Sequence, residues 1–157
     1  MAAIITIPID AHLITLCIES FEVVSRTIQV GRSTQTQRER VRSVREVGPR
    51  LDATGLDHAI STVNQVWTPA DIVFNLRSTD FPRVNAPGNN EEVNEAGFFQ
   101  LASQFPARRG VSALFVSRFA SRDLGGQAAE ALGCCIVAFH GEQLTGKTLA
   151  HELGHLL

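Results

Sequence analysis

The last seven residues of the chain, HELGHLL, combine two histidines and a glutamate in a spacing that suits metal chemistry. His151 and His155 lie four residues apart, and Glu152 directly follows the first of them. On an α-helix, residues four apart share one face, so both imidazoles can bind one Zn²⁺ ion while Glu152 reaches toward its open side. There Glu152 can act as general base for a metal-activated water. The spacing therefore predicts zinc-dependent hydrolysis of a peptide bond.

The residues around this motif favour a helix. Thr145 is a candidate N-cap, and Leu149 and Leu153 provide an apolar face at helical spacing. Gly154 costs about 1 kcal/mol in a helix relative to alanine, so we expect another part of the chain to pack closely against it. The alternative interpretation is an ordinary core helix with two hydrogen-bonded histidines and a surface glutamate.

The stretch TLAHELGHLL resembles the metzincin metallopeptidases, whose extended motif continues as H-E-x-x-H-x-x-G-x-x-H. Two further stretches are similar to the same family, most closely to its pappalysin-like and reprolysin-like members. They are ISTVNQVWTPADIVFNL, from Ile60 to Leu76, and LGGQAAEALGCCIVAFHGEQLTGKTLAHELGHLL, which ends the chain. The resemblance covers most of Leu56 to Leu157.

This resemblance implies a zincin-like N-terminal subdomain with a five-stranded sheet. Its antiparallel edge strand, expected near Gly126 to Leu132, would pair with an extended peptide or protein substrate above the zinc. The family's third histidine and its methionine turn are absent, and Met1 is the only methionine. We therefore predict a single zincin-like domain over residues 1–157, cut off after the active-site helix of a longer metalloendopeptidase, and inactive by itself if the third ligand is required.

Two other functions stay open at this point. The same stretch also looks like the immunity-type metallopeptidases, in which an acidic third ligand comes from further downstream. A non-catalytic zinc-binding or interaction module could instead have kept only half of the site.

Hydrophobic periodicity predicts an α/β (α+β) fold with a mixed, largely parallel twisted sheet of about five strands and packed helices. Residues 31–48 hold five arginines with valines at every third position, and they predict an exposed connection that could be helical. The other predicted strands are Ala3–Ile18, with an irregularity at Pro8, Phe21–Val30, Asp71–Leu76, Val111–Phe119 and Cys134–Phe139. The predicted helices are Thr54–Trp67, with a capping box over residues 54–57, and Glu91–Phe105. A loop is predicted at Phe81–Asn90.

Composition bounds the class of protein. The chain has 157 residues, 44% of them hydrophobic and 19% charged, which suffices for one globular domain with a real core. A net charge of −2 and a pI near 6.2 favour neither nucleic acid nor a membrane surface as partner. No transmembrane run or signal peptide is visible, and three cysteines slightly favour a reducing, cytoplasmic compartment. Oligomeric state is left open.

Three residues outside the motif are weaker candidates for the metal site. His140 could bind metal or substrate, and Cys134 or Cys135 could supply a thiolate. Both cysteines lie in an apolar, strand-like run, so we expect them to pack in the core instead. Trp67 is likewise expected in the core, and the pair Gly125-Gly126 predicts a turn or a close backbone approach.

Overall fold

The computed structural model describes residues 3–121 and 125–157; Leu124, where one metzincin-like stretch begins, lies outside these ranges. The described residues form eight strands and three α-helices. In chain order these are β1 (Ile5–Leu13), β2 (Thr15–Val30), β3 (Ser33–Val47), α1 (Ala53–Trp67), β4 (Ile72–Asp80), β5 (Arg83–Asn85), α2 (Glu95–Ala102), β6 (Val111–Val116), β7 (Gly126–Ala129), β8 (Cys134–Ala138) and α3 (Glu142–Gly154). No helix in the described part of the chain is long and apolar enough to cross a membrane.

The main sheet has five strands in the order β4-β1-β6-β8-β7. All neighbours are parallel except β7, which runs antiparallel to β8. Strands β6 and β8 are buried along their whole length, as inner strands of a sheet covered on both faces must be. The predicted α/β fold with a mixed, largely parallel five-stranded sheet is therefore confirmed, including an antiparallel strand near Gly126.

Hydrophobic cores lie on both faces of this sheet. Ala113 and Phe115 of β6 belong to the first core, which α1 and α3 cover, whereas Leu114 and Val116 belong to the second, which α2 covers. Successive residues of a strand project to opposite faces, so one apolar run serves both cores. The helix that carries the histidine motif is thereby fixed to one face of the sheet.

Strands β2 and β3 form a long antiparallel hairpin. Their pairing runs from Leu16 opposite Val47 to Val30 opposite Ser33, and every residue from 20 to 46 is exposed. Only the base of the hairpin joins β5, which gives a second sheet in the order β3-β2-β5. Most of this ribbon contributes nothing to either core.

The prediction for residues 31–48 is right about exposure and wrong about a helical connection. Val41, Val44 and Val47 recur at three-residue spacing, which imitates a helix, but valine is stiff at χ1 and suits a strand. Gly31, with φ +65°, begins a two-residue turn that returns the chain antiparallel to β2. Pairing with a distant segment decides the structure here.

Several predicted boundaries also need correction. Ile14 separates β1 from β2. Strand β2 then continues through the polar pair Glu19-Ser20, where the sequence predicted a boundary between two strands. The irregularity predicted at Pro8 lies one residue later, where the register of β1 against β4 shifts between Ile9 and Asp10. The predicted loop at 81–90 contains the short strand β5, and α2 is shorter than expected at both ends.

Helix α1 confirms the helix predicted at Thr54–Trp67. Its N-cap is Asp52 rather than the expected capping box over residues 54–57, and the Asp52 carboxylate accepts a hydrogen bond from the Gly55 N–H at 2.8 Å. Aspartate is a strong N-cap because its short side chain reaches a backbone donor that the helix leaves unpaired. Helix α1 packs beside α3 in the first core.

Candidate metal centre

The motif helix α3 begins directly after the inner strand β8. Gly141, with φ +93°, redirects the chain into the helix, which starts at Glu142 and has no side-chain N-cap. The prediction that Thr145 is the N-cap is therefore wrong. Thr145 is buried in the first turns, and its hydroxyl oxygen accepts a hydrogen bond from the His140 N–H at 3.2 Å. Thr145 thus ties the incoming loop to the helix.

The two histidines of the motif lie together on the exposed side of α3. Their Nε2 atoms are 3.2 Å apart, and their rings meet edge to face with centroids 4.8 Å apart. Two imidazole nitrogens on one tetrahedral zinc, each at about 2.0–2.1 Å, would be separated by about 3.3 Å. The observed spacing fits two ligands of one zinc ion, and it also fits a hydrogen bond between the rings.

Glu152 lies in a different environment from its neighbours. Glu152 is only 7% exposed, whereas His151 and His155 are exposed. Burial raises the pKa of the Glu152 carboxyl, and the two histidines oppose that rise when they are charged. The helix therefore places a buried carboxyl group next to two exposed metal-ligand candidates.

Glycine 126 makes room for this carboxylate. A Cβ built on Gly126 would lie 2.6 Å from Cγ of Glu152 and 2.9 Å from its Oε1, so no larger residue fits without movement. Gly126 is the first residue of the edge strand β7, which places the end of that strand against the general-base candidate. The close backbone approach expected from the glycine pair is confirmed, and its partner is Glu152.

The expectation for Gly154 is also confirmed. A Cβ at this position would lie 3.0 Å from Cζ2 of Trp67, and the Trp67 indole N–H donates to the Ala150 carbonyl at 3.0 Å. Trp67 packs against the first core as expected, but it also forms a wall beside the histidines. A cavity of about 440 Å³ lies there. Its lining residues are Val66, Trp67, Lys147, Ala150, His151, Gly154 and His155.

The weaker candidates do not join the histidine pair. No group of three or more histidine, cysteine or acidic side chains close enough to hold a metal occurs in the part of the chain that the structure describes. His140 is exposed and lines a separate surface cavity. Cys134 and Cys135 are fully buried, and burial raises the pKa of both thiols, that of Cys134 to about 12. Their expected packing role is confirmed.

Sequence reasoning missed a cluster of charged and polar side chains on β1 and β4. Its members are Asp10, His12, Arg77, Ser78 and Asp80. His12 and His58 both have carboxylate partners: the His12 Nδ1–H donates to Asp80 at 2.6 Å, and His58 pairs with Glu142 at 2.8 Å. The available signal was the alternation of Asp10 and His12 with apolar residues in β1, because polar residues on an inner strand need partners. Those partners come from distant segments.

No protein-family model matches the chain, and no curated protein matches it at a significant level.

Proposed function

We propose that the chain carries part of the active site of a zinc-dependent metalloendopeptidase of the metzincin type. In this proposal His151 and His155 are the metal ligands and Glu152 is the general base. The observation that carries the proposal is the pair of exposed imidazole nitrogens 3.2 Å apart beside a carboxylate that is only 7% exposed. An ordinary core helix has no need for that combination, because a buried carboxylate without a strong partner lowers stability.

Zinc bound by the two histidines would supply a Lewis acid that activates water and polarises the substrate carbonyl. Glu152 would take the proton from the attacking water and pass it to the leaving amine. Its burial between α3 and β7 holds the carboxylate in one place, which general-base catalysis requires.

Strand β7 would bind the substrate main chain. It pairs with β8 along one edge, and no strand pairs with its other edge in the described residues. An extended peptide could add to that edge through backbone hydrogen bonds, which give affinity without strong sequence preference. Three of the four residues of β7 (Gly126, Ala128 and Ala129) are small and would allow close approach.

The third ligand is the open part of the proposal. We propose that a histidine supplies this ligand, as in the metzincins that the motif resembles, because no described side chain completes the site. An acidic ligand in this position would instead indicate the immunity-type peptidases. Stable zinc binding without hydrolysis would indicate a non-catalytic module.

The test measures zinc content by mass spectrometry and cleavage of an unfolded protein, on this chain and on a form that includes any residues encoded after Leu157. We expect about one zinc per chain and cleavage in the longer form. Loss of zinc in the double variant His151→Ala/His155→Ala, and loss of cleavage with retained zinc in Glu152→Ala, would support the assigned roles. His140→Ala is the matched control and should change neither. Zinc content unaffected by the double variant would refute the proposal.

A further inference from the structure

A third cavity, of about 660 Å³, lies on the sheet face opposite α3. Ile9, Ala11 and Leu13 of β1 face the first core with α3, so the residues between them, Asp10 and His12, face the other side. Helix α2 covers β6 and β8 on that side. Strands β1 and β4 form one side of the cavity, and the segment that leads from α2 to β6 forms the other. We call this cavity the β1–β4 cleft. Its lining residues are Asp10, His12, Arg77, Ser78, Asp80, Gln104, Phe105, Pro106, Arg108 and Arg109.

A bulge in β4 builds the floor of the cleft. Ile9 pairs with Leu76 and Asp10 pairs with Ser78, so Arg77 is an extra residue in β4. Arg77 and Ser78 both contact the Asp10 carboxylate: Arg77 forms an ion pair with it, and the Ser78 hydroxyl donates to Oδ1 at 2.6 Å. Bulges of this kind redirect side chains and are common beside functional sites.

The remaining floor residues are also held in place. The His12 side chain is 14% exposed, and its Nδ1–H donates to Asp80 at 2.6 Å. The Phe105 ring packs on the other side of the His12 ring, with centroids 4.7 Å apart. An inner strand thus presents two polar side chains, each fixed by a partner, at the bottom of an open cleft. Such preorganisation is what a binding site needs.

Two arginines at the rim give the cleft surplus positive charge. None of the described carboxylates lies within ion-pair distance of Arg108 or Arg109, although both residues line the cavity. Three arginines and two aspartates line the cleft, so these five side chains leave one surplus positive charge in a chain whose net charge is −2.

The segment that carries the rim arginines is anchored tightly. Gly110 has φ +84°, and a Cβ there would lie 2.1 Å from the Pro8 carbonyl oxygen. Only glycine allows this approach, which fixes the end of the segment against β1.

We propose that the β1–β4 cleft binds a small phosphate monoester, with Arg108 and Arg109 on the phosphate. Guanidinium groups suit phosphate oxygens because each donates several hydrogen bonds in a fixed plane. A phosphate monoester carries about −1.5 to −2 charges at neutral pH, which complements the surplus positive charge. The cleft is within the range of about 300–1,000 Å³ typical of small-molecule sites, so it can hold an organic group beside the phosphate.

Isothermal titration calorimetry at low salt tests this site with adenosine 5′-monophosphate, inorganic phosphate, adenosine and citrate as probes. We expect saturable binding of adenosine 5′-monophosphate, weaker binding of phosphate, and none of adenosine. The double variant Arg108→Gln/Arg109→Gln should weaken binding of the monoester at least tenfold. Arg26→Gln/Arg32→Gln on the hairpin removes the same charge and should change the affinity less than twofold.

Asp80→Asn provides a variant expected to gain affinity. Asp80 is mostly exposed and lines the cleft, so loss of its negative charge should tighten binding about threefold without unfolding the protein. Equal weakening in the two double-arginine variants would show bulk electrostatics and overturn the site. Absence of saturable binding, or citrate binding as tightly as the monoester, would overturn the phosphate assignment.

Discussion

At the scale of single residues, the contact between Gly126 and Glu152 is the tightest constraint on the candidate metal centre. The general-base candidate has its place because an edge-strand residue lacks a side chain. Zinc-binding motifs show the ligands and the base, but they do not show what keeps the base in position. Here a residue 26 positions earlier does so.

Gly126→Ala should therefore lower stability by about 1–3 kcal/mol, because the added methyl overlaps the Glu152 side chain. In the background Glu152→Ala the same substitution should cost much less. A double-mutant cycle of unfolding free energies measured in urea gives the coupling between the two positions. Equal costs in both backgrounds would show that Glu152 is not the group that Gly126 accommodates.

Asp10 offers a residue-scale prediction about pH. The Arg77 guanidinium holds the pKa of the Asp10 carboxyl below its ordinary value of 3.8. A depressed carboxyl pKa contributes stability above the pKa of the unfolded state, and this contribution disappears as the pH falls through the folded-state pKa. Asp10→Asn should therefore lower Tm at pH 7, and the difference from wild type should shrink below pH 3.8. Thermal unfolding at several pH values measures this.

The matched control for Asp10 is Glu22→Gln on the exposed hairpin. That substitution also removes one negative charge, but the side chain lies in solvent. Its Tm should follow wild type across the pH range. A gap for Asp10→Asn that stays constant down to pH 2 would contradict the role assigned to its charge.

At the scale of elements, the β2–β3 hairpin and the main sheet have different energetic roles. The hairpin residues from 20 to 46 are exposed, and only the base of β2 reaches a core, through Leu16. Strand β3 is the outer strand of its sheet, and its arginines, one of them 4.0 Å from the centre of the Phe21 ring, place charge on an edge that could otherwise pair with other chains. The hairpin is thus an appendage of the fold.

Replacing residues 23–40 with Asn-Gly, between the facing pair Glu22 and Val41, should change the unfolding free energy by less than about 1 kcal/mol. Leu16→Ala, at the buried base, should cost about 2–5 kcal/mol. Urea unfolding followed by circular dichroism compares the two. A shortened hairpin that destabilises the protein as much as Leu16→Ala would show that the ribbon has a structural role.

At the scale of the whole molecule, the two cores share the strands between them. Adjacent residues of β6 and β8 belong to opposite cores, so neither core can lose its packing while the sheet stays intact. We therefore expect one cooperative unfolding transition. Trp67, the only tryptophan, reports on the first core.

Leu101→Ala tests this coupling from the opposite face, because Leu101 is buried in the second core. Its urea midpoint measured by Trp67 fluorescence should fall together with the midpoint measured by circular dichroism, in line with a loss of about 2–5 kcal/mol. Leu149→Ala in the first core is the comparison variant. A Trp67 midpoint that stays at the wild-type value in Leu101→Ala would show that the cores unfold independently.

The sequence by itself determined the features that depend on residue type and local spacing. His151 and His155 share a helix face because they are four residues apart, α1 follows from its apolar periodicity, and the apolar runs of β6 and β8 identify inner strands. The class of fold then follows, because buried strands that alternate with amphipathic helices have few ways to pack.

Only the tertiary structure decided the features that depend on segments distant in the chain. Residues 33–47 form a strand because β2 is available to pair with them, although their valine spacing imitates a helix. Gly126 matters because β7 lies against Glu152, and the β1–β4 cleft exists because a bulge brings Arg77 and Ser78 to Asp10. Local periodicity carries no information about which segments meet, so these contacts appear only when the whole chain has folded.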